Sequence, residues 1–117
     1  GLYFMDSPGR EMEFMTGVAA AGSQVILFST GIGAPQGFPV CPVIKVTGNE
    51  HTYENLKEHM DIDVSGIISG GETIDEAGQR VYSRLLEVAS GERVKAEKIG
   101  YDVSGVNSDI YVRGPVI

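Results

Sequence analysis

Hydrophobic positions along this chain fall into two different periods. Consecutive apolar residues rich in β-branched side chains occur at 25–29 (VILFS) and 43–47 (VIKVT), each bounded by glycine or proline. That is the pattern of strands covered on both faces of a parallel sheet. A third apolar run at 2–5 (LYFM), closed by Asp6, predicts a strand ahead of these two. Between the runs at 2–5 and 25–29 the period changes to a helical one. Ser7 and Pro8 predict a helix start, with a hydroxyl cap and a proline in the first turn. Met12, Met15, Val18 and Ala19 give the helix an inward face, and Gly22 stops it. Thr52 is expected to open a second helix carrying Tyr53, Leu56 and Met60, whereas 61–71 (DIDVSGIISGG) reads as irregular with room for one helical turn. Thr73 and Glu76 form a capping box ahead of the stripe Ile74, Ala77, Val81, Leu85 and Val88, and Glu76 with Arg80 is expected to pair across one turn. Beyond Glu92 the period fades, and 101–117 is expected to be an extended tail with a short strand at 110–112.

This order predicts an α/β fold: one three-layer, Rossmann-like domain over 1–117, with a small parallel sheet made of strands 2–5, 25–29 and 43–47. The connection at 30–42 contains Gly31, Gly33, Gly37, Pro35, Pro39 and Pro42 and cannot be a helix. A long non-helical loop at the carboxyl end of a strand is where an open α/β sheet places a ligand. The three predicted carboxyl ends deliver Asp6 and Ser7, then Thr30, Gly31 and Gly33, then Thr47 and Asn49, and these are the candidate substrate-binding residues. The same residue types also make caps and turns, so both readings stand at this point. The glycine spacing is GxGxxxG, and the prolines that follow forbid the helix a dinucleotide loop requires. Lys45 interrupts an apolar strand. It is either a charge guarding a sheet edge or an inward cation able to meet a carboxylate or act in catalysis.

Charge and composition narrow the partners. The 117 residues carry a net charge of -7, which argues against nucleic acid or an anionic membrane, and no apolar run is long enough to span a bilayer. The single cysteine, Cys41, forms no internal disulfide, fits a reducing cytoplasmic setting, and is expected to pack rather than react. His51 and His59, eight apart, lack metal-pair spacing and are expected to be exposed; Asp61 and Asp63 are a weak cation signal, so metal ligands stay unknown. The chain opens without methionine, directly in a strand-like run, and reads as a piece of a longer polypeptide.

The segments GLYFMDSPGREMEFMTGVAAAG, LFSTGIGAPQGFPVCPVIKVTGN, TYENLKEHMDID and LEVASGERVKAEKIGY resemble the C-terminal region of the altronate and galactarate dehydratase family of sugar-acid hydro-lyases. The family is also similar to sulfolactate sulfo-lyase large subunits. The chain departs from its pattern at Asp63, where Asn is expected, and at Glu50, where Pro is expected. The resemblance implies elimination of water from an aldonate or aldarate such as altronate or galactarate, giving a 2-keto-3-deoxy acid. It also implies a divalent metal, Fe2+ or Mn2+, sited mostly outside this chain, and N-terminal domains of the same enzyme as partners, with a homo-oligomer as a further expectation. Within that scheme Lys45 is the candidate catalytic residue, pairing with a substrate carboxylate or dianion. Competing readings are a sulfo-lyase subunit and a non-catalytic anion-binding or oligomerisation module.

Overall fold

The computed structural model describes residues 1–7 and 9–103. Within them helix α1 (Glu11–Ala20) precedes strands β1 (Ile26–Ser29) and β2 (Val43–Thr47). Helix α2 (Glu50–Asn55), strand β3 (Ile62–Asp63) and helices α3 (Gly66–Ser69), α4 (Ile74–Ala89) and α5 (Lys95–Lys98) follow. The three strands form a small parallel sheet in the order β1-β2-β3, with Ile26 opposite Val43 and Val46 opposite Ile62. No helix among the described residues is long and apolar enough to cross a membrane.

β2 is central and buried along its whole length, as a doubly covered parallel strand must be. Its side chains alternate, and each set enters a different core. Val43 joins Ile26, Phe38, Cys41 and the fully buried Met15, with Met12, Val18 and Ala19 of α1 packed around them. Ile44 and Val46 join Ile62, Val94, Ala96 and Val88, with Val81 and Leu85 of α4 against them. Burying a side chain the size of Met15 contributes about 1.5–3 kcal/mol, so these two contacts hold the sheet between α1 and α4. The capping box is present: the Thr73 hydroxyl accepts the Glu76 N–H, and Glu76 Oε2 accepts the Thr73 N–H at 2.8 Å.

Several expectations are corrected. Residues 2–5 form no strand; Leu2, Tyr3 and Phe4 are fully exposed, and only Met5 finds a surface, reaching the space beside Gly17. An apolar run becomes a strand only where a sheet edge receives it, and no described strand pairs with this one. The helix starts at Glu11, three residues beyond Pro8, with extended Arg10 as its N-cap and no side-chain cap. Gly22 does follow the helix end in the left-handed region, φ 102°. The third strand is Ile62–Asp63, inside the segment read as irregular, and the helix-bearing crossover between adjacent parallel strands is therefore β2-α2-β3. α2 opens at Glu50 rather than Thr52, because Asn49 Oδ1 accepts the N–H groups of both His51 and Thr52. Arg80 pairs with Glu72 at 2.6 Å, since Glu76 is committed to the cap. Ile74 at the head of the α4 stripe is exposed. The tail strand expected at 110–112 lies outside the described residues.

Candidate functional site

The carboxyl ends of β1 and β2 do converge, and the loops leaving them enclose an open crevice of about 410 Å³ lined by Thr30, Gly31, Gly48, Asn49, Val64 and Ile68, with Ser29 and Val46 behind. Its wall is built by local hydrogen bonds that follow from the residue types. Thr30 Oγ1 accepts the Gly33 N–H at 3.1 Å, and Thr47 Oγ1 accepts the Asn49 N–H at 3.2 Å. The Thr52 hydroxyl donates to the Gly31 carbonyl at 2.7 Å, tying the Gly/Pro loop to α2. Gly33 is obligatory for this arrangement: its φ is 106°, and a Cβ there would lie 2.2 Å from Leu56 Cδ1. Thr30, Gly31 and Asn49 thus line the crevice, while Gly33 and buried Thr47 shape it from behind.

Asp6 and Ser7 do not join this constellation. The strand that was to carry them is absent, and neither lines the crevice.

Lys45 resolves the choice between edge and interior. It stands on the central strand, fully buried, so it guards no edge. Its Nζ donates to Glu11 Oε1 at 2.5 Å, in the first turn of α1, and lies 4.6 Å from the centre of the Phe28 ring. Burial pushes the Lys45 ammonium below the ordinary lysine value, against the opposing pull of Glu11 and then Asp61. The crevice takes its wall from Val46, the next residue, which projects from the other face of β2. The cation and the crevice therefore lie on opposite faces of the strand.

Asp61, with Asp63 a weak cation signal in the sequence, is a buried structural acceptor. Almost wholly buried, its carboxylate accepts the Lys45 N–H at 2.9 Å and the Lys95 N–H at 3.0 Å, with Arg84 at 3.9 Å. It joins the central strand to the start of α5. Asp63 Oδ1 accepts the Ser65 N–H at 2.8 Å. His51 is exposed and bonded to Asn55, but His59 is half-buried against Tyr101, ring centroids 5.4 Å apart. Cys41 is buried, and burial pushes its thiol up, which disfavours the reactive thiolate. Among the described residues no three of His, Cys, Asp and Glu gather as metal ligands. The described residues do not fit a divalent-metal site.

Sequence reasoning missed the Lys45–Glu11 and Asp61 contacts. Both link residues more than a dozen positions apart, and no local pattern encodes them; the lone charge in an apolar strand was the only signal for the first.

The comparisons agree on the family. A family model described as D-galactarate/altronate dehydratase, C-terminal, matches residues 1–110. The chain is similar to "(2R)-sulfolactate sulfo-lyase subunit beta" of Chromohalobacter salexigens, 40% identical over 101 residues, which is 86% of this chain and 26% of that protein. It is similar to "Galactarate dehydratase (L-threo-forming)" of Escherichia coli, 32% identical over 115 residues, covering 98% of this chain and 21% of the relative. It is also similar to "Altronate dehydratase" of Bacillus subtilis, 35% identical over 99 residues, covering 84% and 20% respectively. The chain thus spans a fifth to a quarter of the length of these relatives. With the model matching nearly its whole length, the chain belongs to the D-galactarate/altronate dehydratase C-terminal family.

Proposed function

We propose that this chain is the C-terminal domain of a sugar-acid hydro-lyase that removes water from an aldonate or aldarate such as altronate or galactarate and yields a 2-keto-3-deoxy acid. The observation that carries this reading is the family match over residues 1–110 together with relatives named as galactarate and altronate dehydratases. Clusters on opposite faces of β2, one with α1 and one with α4, favour the three-layer, Rossmann-like arrangement.

The chemistry sets what the rest of such an enzyme must supply. Taking a proton α to a carboxylate creates a dianion, which needs a base, charge-stabilising donors and an acid for the departing hydroxyl. No titratable side chain lines the carboxyl-end crevice. The division of labour that follows gives this domain a scaffolding role, with a neutral surface made by Thr30, Gly31 and Asn49, and Thr47 and Gly33 holding its shape, that supplies no acid, base or charge. The base, the acid and any divalent metal, iron or manganese, come from the remainder of the polypeptide. Lys45 would reach a substrate carboxylate only if Glu11 released it.

A sulfo-lyase is the second reading, favoured by the 40% identity to a sulfolactate sulfo-lyase subunit. Both readings are eliminations from an acid. The test is a substrate panel with the longer polypeptide that carries this domain: altronate, galactarate and sulfolactate, following 2-keto-3-deoxy acid and sulfite. Keto-acid formation from a sugar acid supports the first reading, and sulfite release alone replaces it with the second. No turnover of any substrate leaves a non-catalytic binding or oligomerisation module.

A further inference from the structure

The crevice is poorly equipped to recognise a dianion and well equipped to receive apolar side chains. No charged residue lines it, although the chain carries a net charge of -7. Two of its side-chain oxygens are held by their own loops: Thr30 Oγ1 accepts the Gly33 N–H, and Asn49 Oδ1 accepts the N–H groups of His51 and Thr52. Ile68 lines the crevice yet is 81% exposed, and Ile32, which follows the lining residue Gly31, is 93% exposed. Gly48 keeps its floor low, since a Cβ there would already touch Ile68 Cδ1 at 3.7 Å. A charge-free concavity lined by an exposed isoleucine, with a second exposed isoleucine next along the chain from Gly31, has the composition of an interface centre. The chain spans only 26%, 21% and 20% of three relatives, so most of a polypeptide of that kind is available to cover it.

We infer that the crevice between the β1 and β2 carboxyl ends, lined by exposed Ile68 and continued along the chain by exposed Ile32, is the docking surface for an apolar segment from the remainder of the longer polypeptide. It is thus an internal interface and not a free-standing pocket for the sugar acid. The inference rests on the proposed reading of this chain as one domain of a longer enzyme, and it assigns the surface through which that domain is joined.

Amide hydrogen exchange tests it, comparing this 117-residue chain with the longer polypeptide containing it, each with and without galactarate in excess. The expected result is that amides at 31–33 and 66–69 exchange about tenfold or more slowly in the longer polypeptide, without galactarate. Ile32→Glu with Ile68→Glu should abolish that protection while leaving the far-ultraviolet dichroism of the short chain unchanged, because both side chains are exposed. Equal exchange in the two proteins overturns the inference, as does protection that appears only with galactarate, which would make the crevice a ligand pocket. A native gene encoding no more than these 117 residues overturns it as well. Protection in a longer polypeptide that turns over no acid keeps the docking surface and removes the hydro-lyase reading, so the two fail separately.

Discussion

Replacing Glu11 by Gln should destabilise the chain far more than replacing Lys45 by Met, although both break the same ion pair. The pair is asymmetric: the Lys45 side chain is 0% exposed and that of Glu11 is 27% exposed, with 2.5 Å between Nζ and Oε1. In Lys45→Met the carboxylate left behind can turn toward water. The losses are the contact with the Phe28 ring and the pair itself, together about 1 kcal/mol, since an apolar side chain of similar volume suits the site. In Glu11→Gln an ammonium stays buried without its counter-charge, and breaking a buried pair in this way costs about 3–5 kcal/mol. A ceiling exists because Lys45 can deprotonate: with an ordinary lysine pKa of about 10.4 and 1.36 kcal/mol per pH unit, that escape costs about 4.6 kcal/mol at pH 7. The same reasoning fixes the pH dependence. A lysine whose folded pKa lies below its unfolded value binds more protons when unfolded, so its contribution to stability rises with pH across the window between the two. Burial already lowers the Lys45 value, and losing Glu11 lowers it further. The penalty in Glu11→Gln should therefore shrink as pH rises, to less than about 1 kcal/mol at pH 10. Urea unfolding followed by circular dichroism at pH 7 and pH 10 measures both quantities. A Glu11→Gln chain within about 0.5 kcal/mol of the parent at pH 7, or a penalty that does not change with pH, would refute the assignment of Lys45 as a buried cation held by Glu11.

Gly33→Ala forces a side chain into the left-handed region and against Leu56, at an expected cost of about 2–3 kcal/mol, read as a lowered urea midpoint; an unchanged midpoint would mean the loop relaxes freely. Asp61→Ala leaves the part-buried Lys45 and Lys95 N–H groups without their acceptor and should cost about 2–4 kcal/mol, with faster amide exchange at Lys95; Asp61→Asn, which keeps one oxygen, should cost roughly half of that.

Features legible in the sequence were those that neighbouring residues determine. The strands at 26–29 and 43–47 declare themselves by continuous apolar character, and the α4 cap by Thr73 and Glu76 three residues apart. Gly22 marks the end of α1 because its backbone demands positive φ. Misplaced elements depended on distant surfaces. LYFM has the composition of a strand but no described edge to receive it, and Ile62–Asp63 is a strand only because β2 lies beside it. Two residues carry no period, so nothing local could reveal β3. The site divides in the same way. That the carboxyl ends of β1 and β2 would enclose a crevice followed from topology, whereas the chemistry of Lys45 depended on the position of β2 in the sheet and on Glu11, 34 residues away. Strand composition could not settle either.

The proposed function makes this chain a structural part of an acid lyase whose base, acid and metal would come from a longer polypeptide. Incubating the purified 117-residue chain, and separately the longer polypeptide, with altronate and galactarate in the presence of iron or manganese, and measuring 2-keto-3-deoxy acid, tests this most directly. Product with the longer polypeptide and none with the short chain is the predicted result, whereas turnover by the 117 residues alone would contradict the account.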